Sequence, residues 1–213
     1  MEIQNNTIKY NLKNVLFISG NACAGKTTMS KLLAEKHGFL LYDMDKEYEA
    51  HRLIADTEHQ PNTCYHLTDF HEQYTRPVEE QARWNLNSIK EQSEMVLLDL
   101  IRLSQNQTVV ADVLYSPLYT KEIIDYNHIV FLTVDKKELR QGYFNRPEKR
   151  DFFEFVKKQE LANVYFDNII RGLELTNEAE QHLMRQSGFK IIERTQTDTK
   201  ECMLRKIEAH FKL

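Results

Sequence analysis

The sequence predicts a three-layer α/β fold in which helices cover both faces of a doubly wound, parallel, five-stranded sheet. The first observation is a set of five short apolar runs, four of which lack alternation with a period of two. Such runs are typical of strands that are buried on both faces of a parallel sheet. The second observation is that segments with helical periodicity separate the runs, which lie at residues 15–19, 39–42, 108–113, 128–134 and 189–193.

The helical segments carry recognisable start and stop signals. After the first run, apolar residues recur at helical spacing until Gly38, where the helix is predicted to stop. A long amphipathic helix is predicted from Pro77, a favoured residue of the first helical turn, and another helical pattern spans residues 160–185. The last helix is predicted to begin at Asp198, with Glu201 three residues later as in a capping box.

Residues 51–75 are polar and weakly periodic, which predicts an irregular or short-helical insertion at the carboxyl edge of the sheet. The segment contains His51, His59, His66 and His71. No pair of these histidines has metal-ligand spacing on a recognisable helix. They are therefore predicted to lie on a solvated surface.

Composition limits the classes of protein that fit. The chain has 213 residues, 41% hydrophobic and 28% charged, and its strand–helix alternation predicts one domain over residues 1–213. The net charge of −4, with both signs interspersed, argues against a general nucleic-acid-binding protein. Cys23, Cys64 and Cys202 are too far apart to indicate a disulfide framework or a zinc site. Residues 1–14 lack a signal peptide and no apolar run approaches the ~20 residues of a membrane span, which favours a cytoplasmic protein without a membrane partner.

Residues 20–27 read GNACAGKT and fit the pattern G-x-x-x-x-G-K-[ST] between the first strand and the first helix. Such a loop points its main-chain N–H groups at an anion, and its glycines permit the backbone angles that this requires. The following helix presents its positive N-terminal end to the same anion. Lys26 is predicted to reach the β- and γ-phosphates of ATP, and the Thr27 hydroxyl to bind Mg²⁺. The predicted nucleotide contacts here are Gly20, Asn21, Ala22, Cys23, Ala24, Gly25, Lys26, Thr27 and Thr28.

Carboxylates follow two of the apolar runs. Asp43 and Asp45 come after the second run, and Asp112 lies near the end of the third. Residues i and i+2 of a strand share a face, and ligands bind at the carboxyl ends of parallel strands, so Asp43 and Asp45 are predicted to face the phosphate site. Asp45 is the candidate base for an acceptor hydroxyl, while Asp43 and Asp112 are candidate Mg²⁺ ligands. Alternatively, the pair caps the next helix, because aspartate is a favoured N-cap residue.

Residues 138–158 are predicted to form a mobile lid. The segment contains Arg140, Arg146 and Arg150, together with a glycine and a proline that suit hinges. Arginines that close over a transferring phosphoryl group stabilise the charge on its equatorial oxygens. The alternative is a solvated helix end whose arginines pair with neighbouring glutamates.

The loop, the acid-ended strands and the arginine-rich segment together resemble the nucleoside- and nucleotide-kinase-like family of P-loop kinases. This family includes nucleoside monophosphate kinases, shikimate and gluconate kinases, chloramphenicol phosphotransferase and zeta-toxin kinases. The resemblance implies the sheet order 2-3-1-4-5, with Asp45 at the phosphoryl acceptor. It also implies that Arg140 stacks near the base, that Arg146 and Arg150 face phosphates, and that Arg194 borders the adenine. The glycine triplet that shikimate kinases carry after the third strand is absent, which disfavours shikimate as the acceptor.

These features predict an ATP- and Mg²⁺-dependent phosphotransferase whose partner is a small-molecule acceptor. The acceptor is predicted to bind a helical region at residues 46–105, where Arg52, Arg83 and Trp84 are candidate contacts, although Trp84 also suits helix packing. The alternatives are a non-kinase P-loop ATPase and a nucleotide-binding regulatory module. A regulatory GTPase is disfavoured, because TVDK follows the fourth strand in place of an N/T-K-x-D motif. The predicted catalytic residues are Lys26, Asp45, Arg146 and Arg150.

Overall fold

The computed structural model describes residues 3–64 and 69–213. Its sheet is parallel throughout, with the order β2-β3-β1-β4-β5, and this confirms both the predicted fold class and the sheet order that the family resemblance implied. Each predicted apolar run is a strand, with ends that differ from the prediction by at most one residue. The strands are β1 (Val15–Gly20), β2 (Leu40–Asp43), β3 (Val109–Asp112), β4 (Ile129–Val134) and β5 (Lys190–Arg194).

Helices connect the strands and cover the sheet. In chain order they are α1 (Asn5–Asn11), α2 (Lys26–His37), α3 (Met44–Ile54), α4 (Pro61–Cys64), α5 (Phe70–Thr75), α6 (Val78–Leu103), α7 (Pro117–Thr120), α8 (Lys136–Gly142), α9 (Arg150–Lys157), α10 (Ala162–Ser187) and α11 (Lys200–Phe211). Short 3₁₀ turns at Tyr126–His128 and Pro147–Lys149 precede β4 and α9. In the described ranges, no helix is both long and apolar enough to cross a membrane.

The predicted helix ends lie within two residues of the observed ones. Gly38 ends α2 in the left-handed conformation, with φ of 68°, which a glycine adopts without a Cβ clash. The predicted start of α11 at Asp198 is wrong by one residue: Thr199 is the N-cap, and its side chain accepts a hydrogen bond from the Cys202 main-chain nitrogen at 3.2 Å. Asp198 instead accepts a hydrogen bond from the Thr195 main-chain nitrogen and forms an ion pair with Lys206, eight residues further along the chain.

Two separate hydrophobic cores lie on the two faces of the sheet, which is the physical basis of the three layers. Val15 and Phe17 of β1 point into a core shared with α6, while Leu16 and Ile18 point into a core shared with α2 and α11. This division follows from the alternation of side chains along a strand. Phe17 is fully buried, and burial of such a side chain contributes about 1.5–3 kcal/mol to folding.

A third apolar cluster, built largely from aromatic side chains, joins α5, α9 and α10. Phe70 of α5 packs edge-on against Phe155 of α9, with ring centroids 4.9 Å apart, and against Tyr165 of α10 at 5.2 Å. The cluster therefore ties part of the predicted acceptor region to part of the predicted lid. Residues 65–68 of the acceptor region lie outside the described part of the chain.

The polar insertion forms short helices, but its histidines differ from the expectation of a solvated surface. His51 is buried, and its Nε2 atom lies 2.9 Å from Asp99 on α6. The expectation is wrong for this residue because α3 packs against α6, where Asp99 bonds one of the two ring nitrogens. His59 is solvated and pairs with Asp56, whereas His66 lies outside the described residues.

Candidate functional site

The phosphate loop, residues 20–27, joins β1 to α2 at the carboxyl edge of the sheet. Its glycines occupy backbone angles that other residues rarely adopt: φ is 121° at Gly20 and 92° at Gly25. A Cβ atom on Gly20 would lie only 2.0 Å from the carbonyl oxygen of Leu132 in β4. The same carbonyl accepts a hydrogen bond from the Asn21 main-chain nitrogen at 2.9 Å, so the loop starts in contact with the neighbouring strand.

Lys26 is the first residue of α2, and its ammonium group folds back over the loop. Its Nζ atom donates a hydrogen bond to the Asn21 carbonyl oxygen at 2.9 Å. An ammonium group has three donors, so this contact leaves two for a ligand. The positive end of the α2 dipole and the lysine charge therefore lie together beside the loop.

A cavity of about 440 Å³ lies over this loop, and its wall carries both positive and negative charge. Gly25, Thr27 and Thr28 form part of its floor. Four cationic side chains line it, from α2, the segment before α9, and the end of β5, and three carboxylates line it from the ends of β2 and β3 and the start of α3. These charged residues are Lys26, Arg146, Lys149 and Arg194, and Asp43, Asp45 and Asp112.

The strand register brings two of the carboxylates side by side. Asp112 is level with Asp43 across the β2–β3 ladder, and with Ile18 of β1 on its other side. Burial raises the pKa of Asp112, while Lys26 and a hydrogen bond from Thr27 act in the opposite direction. Asp112 and Thr27 are thus in direct contact at the floor of the cavity.

The second acidic pair has a different local structure from the one that strand spacing predicts. Asp43 is the last residue of β2, but Asp45 lies in the first turn of α3, so the two do not share a strand face. Both nevertheless line the cavity. Asp43 occupies the N-cap position of α3, as the alternative predicted, but its side chain accepts no capping hydrogen bond and lies 3.4 Å from Lys46.

The cations of the cavity come from both sides of the loop. The Nη1 atom of Arg194 lies 4.0 Å from the point where a Cβ atom on Gly25 would be, and its Nη2 atom forms an ion pair with Glu138 at 2.8 Å. Arg146 and Lys149 lie near the ring of Tyr143, at 5.9 Å and 5.6 Å from its centroid. Aromatic faces attract cations, so this ring favours the placement of both side chains at the cavity.

Comparison with known proteins places the chain in a family. A family model described as an AAA domain matches residues 16–161, which is more than half of the sequence. The chain belongs to this AAA-domain family. Its sheet order and its strand–loop–helix junction are those of a P-loop protein with a nucleotide-kinase-like fold. No match was found among the curated proteins.

Two solved structures are similar to this member of the family. A shikimate kinase from Bacteroides thetaiotaomicron has 17% sequence identity and a TM-score of 0.48, and the match covers 93% of this chain and 98% of that one. A deoxyadenosine kinase from M. mycoides, with the products dCMP and dCDP bound, has 13% identity and a TM-score of 0.46 at the same coverage. Neither likeness bears on what the AAA-domain chain acts on.

The structure does not bring every predicted site residue to the cavity. Arg140 turns away from it and forms a two-pronged ion pair with the buried Glu174 of α10, with Nη2 and Oε2 3.0 Å apart. This pairing satisfies the buried carboxylate, whose pKa is lowered mainly by the hydrogen bond from Arg140. Arg150 is an exposed residue at the start of α9 and lies outside the cavity wall.

Some predicted contacts lie behind the loop or in another part of the molecule. Asn21 and Ala24 are buried beneath the loop and do not line the cavity, and their main-chain nitrogens bond within the protein, to the carbonyls of Leu132 and Asn21. Arg83 and Trp84 line a second cavity of about 450 Å³ between α4, α5 and α6. The Trp84 indole donates a hydrogen bond to the carbonyl of Asn62 at 2.9 Å, which gives it a packing role.

Sequence reasoning missed a polar face of α10 that packs against the back of the loop. Asn177 accepts a hydrogen bond from the Ala22 main-chain nitrogen at 3.2 Å, and Gln181 donates to the Asn21 side chain at 2.7 Å. Glu180 lies between them and is buried. No motif marks these residues; the only signal is a polar stretch inside a helix whose neighbours on both sides are apolar.

The donor set at the cavity floor suits a hard cation. The Thr27 hydroxyl and the Asp112 carboxylate supply oxygen ligands, and Mg²⁺ in proteins characteristically takes one or two such ligands together with substrate phosphates and waters. Within residues 3–64 and 69–213, no group of three or more His, Cys, Asp or Glu side chains forms a metal cage. An ion at this position would therefore depend on the phosphates of a nucleotide for its remaining ligands.

The loop cysteine has the properties of a packing residue. Cys23 adopts φ of 66° and is buried against the cavity wall. Burial raises the pKa of its thiol, although Arg146, Lys26 and Arg194 act in the opposite direction. A raised pKa leaves little thiolate at neutral pH, so the structure gives no support to a reactive cysteine here.

Proposed function

We propose that this chain is an ATP- and Mg²⁺-dependent phosphotransferase that moves the γ-phosphoryl group to a hydroxyl or phosphate group of a small molecule. One observation carries the proposal: a single cavity combines the phosphate loop and its lysine with three further cations and three carboxylates. Phosphoryl transfer depends mainly on positioning and on charge stabilisation, and this cavity offers groups for both.

The cations are assigned to the phosphates. Lys26 keeps one hydrogen bond to the Asn21 carbonyl and offers its other donors to the β- and γ-phosphates. Arg146 and Lys149 also line the cavity, and their charges suit the equatorial oxygens of the transferring group. Arg194, next to Gly25, is assigned to the nucleotide end of the cavity.

The carboxylates are assigned to the acceptor and to the metal ion. Thr27 and Asp112 would hold Mg²⁺, with Asp43 beside them in the β2–β3 register. Bound there, the ion would neutralise charge that develops on the phosphate oxygens. Asp45 lines the cavity from the first turn of α3, and we assign it to orient the acceptor hydroxyl and accept its proton.

Two subregions follow from this assignment. Residues 46–105 are assigned to the acceptor side, since they begin immediately after Asp45. Residues 138–158 are assigned to a lid, because Tyr143, Arg146 and Lys149 line the cavity from within that segment. The aromatic contacts between α5 and α9 would then couple closure of the lid to the acceptor side.

A screen of ATP consumption against a panel of hydroxyl- and phosphate-bearing small molecules tests the proposal. Lys26→Ala is expected to abolish transfer with every acceptor. Asp45→Asn is expected to lower kcat by about 100-fold or more while Mg·ATP affinity is retained. Glu49→Gln is the matched control, because Glu49 lies one turn further along α3, is exposed and pairs with Arg52. Unchanged turnover in Asp45→Asn would remove the assigned base.

The second candidate is an ATP hydrolase, which the description of the matching family as an AAA domain favours. In that case water would take the place of the acceptor beside Asp45. ATP consumption would then proceed at the same rate with and without every compound of the panel. Product analysis separates the two functions, since a transferase forms a phosphorylated acceptor and a hydrolase forms inorganic phosphate only.

A further inference from the structure

The polar face of α10 that borders the phosphate loop consists of Asn177, Glu180 and Gln181. These residues are three and four apart, so they lie on one side of the helix. Asn177 and Glu180 are 6% and 5% exposed, which makes this face part of the interior. Buried polar groups of this kind need partners, and the partners here belong to the loop.

Asn21 is the centre of these contacts. Its side-chain amide donates to the Asn177 carbonyl at 3.4 Å and accepts from Gln181 at 2.7 Å. Its own carbonyl accepts from Lys26 at 2.9 Å. Any shift of α10 relative to the loop therefore moves Asn21, whose carbonyl oxygen binds the ammonium group of Lys26.

Glu180 adds a charge to this arrangement. Lys26 and the Asn21 side chain favour its ionised form, but burial opposes them and raises the pKa of the carboxyl to about 7. A glutamine of the same shape would avoid this cost, because it carries no charge to desolvate. A buried ionisable group beside Asn21, the residue whose carbonyl binds the loop lysine, suits an electrostatic role better than a packing role.

We propose that the polar face of α10 positions the phosphate loop, and that Glu180 is the counter-charge of Lys26 until a nucleoside triphosphate binds and its phosphates pair with the lysine. The inference rests on the proposed nucleotide binding. The polyphosphate brings several negative charges to Lys26, so the ionised form of Glu180 becomes less favourable. The carboxylate then takes one proton from solvent and becomes a carboxylic acid, with no other bond made or broken.

Other titrating groups at the site must be separated from Glu180. Lys26 of α2 is the charged group that acts on it, and Asp112 of β3 lies on the cavity side of that lysine. Asp112 and the terminal phosphate of the nucleotide also exchange protons on binding. Both are present in a Glu180 variant, so the difference between wild type and variant isolates the contribution of Glu180.

The experiment is isothermal titration calorimetry with Mg²⁺ and a non-hydrolysable ATP analogue, in buffers of different ionisation enthalpy, between pH 6 and 8.5. The dependence of the heat on the buffer gives the number of protons taken up. For a pKa rise of about one unit, wild type is expected to take up about half a proton more than Glu180→Gln near pH 7.5. Glu180→Gln is also expected to bind up to about tenfold more tightly than wild type at pH 8.5, and equally at pH 6.

Three further variants complete the test. Glu180→Asp keeps a carboxyl group and is expected to restore proton uptake, while Glu180→Met removes the charge at similar volume if the glutamine variant does not fold. Glu174→Gln is the matched control, since Glu174 is a buried glutamate of the same helix that pairs with Arg140 instead. Its proton uptake is expected to equal that of wild type.

The outcomes are distinct. Equal proton uptake in wild type and in the uncharged Glu180 variants overturns the inference, and so does a loss of uptake in Glu174→Gln. Absence of nucleotide binding by wild type would instead remove the proposed function on which the inference rests.

Discussion

Glutamine at position 180 is expected to stabilise the protein at alkaline pH and to have little effect on stability at acid pH. Burial raises the pKa of the Glu180 carboxyl from 4.5 to about 7. The neutral carboxyl thus favours the folded state below pH 4.5, and this contribution is lost as the pH rises from 4.5 to about 7. One unit of pKa shift corresponds to about 1.4 kcal/mol, so ionisation lowers the free energy of unfolding by about 3 kcal/mol at pH 8. Glutamine does not ionise and escapes this loss.

Urea denaturation of wild type and Glu180→Gln between pH 4.5 and 8 measures the effect. The two proteins are expected to differ by less than about 1 kcal/mol at pH 4.5, and the variant to be more stable by about 3 kcal/mol at pH 8. In thermal melts the difference at pH 8 corresponds to about 6–12 °C in Tm.

Glu174→Gln supplies a control of opposite sign. Arg140 lowers the pKa of Glu174, so that carboxylate contributes stability above its usual pKa, and the contribution is lost as the pH falls. The control variant is therefore expected to be less stable than wild type at pH 8. A stability difference for Glu180→Gln that stays constant across the pH range, or a wild type that is the more stable protein at pH 8, would refute the reasoning.

Three other perturbations test the loop, the proposed lid and the proposed metal ligands. Gly20→Ala places a Cβ atom 2.0 Å from a β4 carbonyl at φ of 121°, so its free energy of unfolding is expected to fall by more than about 3 kcal/mol. Gly142→Ala has open space around it and should change the free energy of unfolding by less than about 1 kcal/mol. Chemical denaturation of both variants measures the difference. Arg146→Ala is expected to lower kcat/KM for ATP by about 100-fold or more. Arg140→Ala is expected to lower Tm and to change kcat/KM by less than about threefold. Equal losses of kcat/KM in the two variants, measured by steady-state kinetics, would contradict the placement of the two arginines. Asp112→Asn is expected to raise the Mg²⁺ concentration needed for half-maximal activity. A Mg²⁺ titration with an unchanged midpoint would exclude the residue from the proposed metal site.

Most of the fold was predictable because its determinants are local in sequence. β1, β3 and β4 are buried on both faces, so their apolar runs mark them directly. Gly38 ends α2 for a reason that depends on one residue and its φ angle. α1 was not predicted, since it contains no buried residue and its polar sequence carries no periodic pattern.

The site was predictable only where one contiguous segment specifies it. Residues 20–27 form a loop whose conformation depends on their own glycines, and the strand ends place Asp43 and Asp112 in register. The sequence does not predict which arginines of residues 138–158 line the cavity, because the orientation of each side chain depends on partners that are distant in sequence. Arg140 is drawn to Glu174, 34 residues away, while Arg146, six residues further along, stays at the cavity beside Tyr143.

The polar face of α10 packs against the phosphate loop, although its sequence resembles that of a solvated helix face. A helix that packs against a sheet needs apolar residues, but one that packs against a loop meets unpaired main-chain N–H and C=O groups. An apolar residue at position 177 would leave the Ala22 nitrogen without its partner, which costs about 1–3 kcal/mol when such a group is buried. The buried polar residues Asn177 and Glu180 are therefore the sequence feature of α10 that reflects its packing against the phosphate loop. In a chain that carries such a loop, an interrupted apolar stripe on a long helix predicts where the helix contacts it.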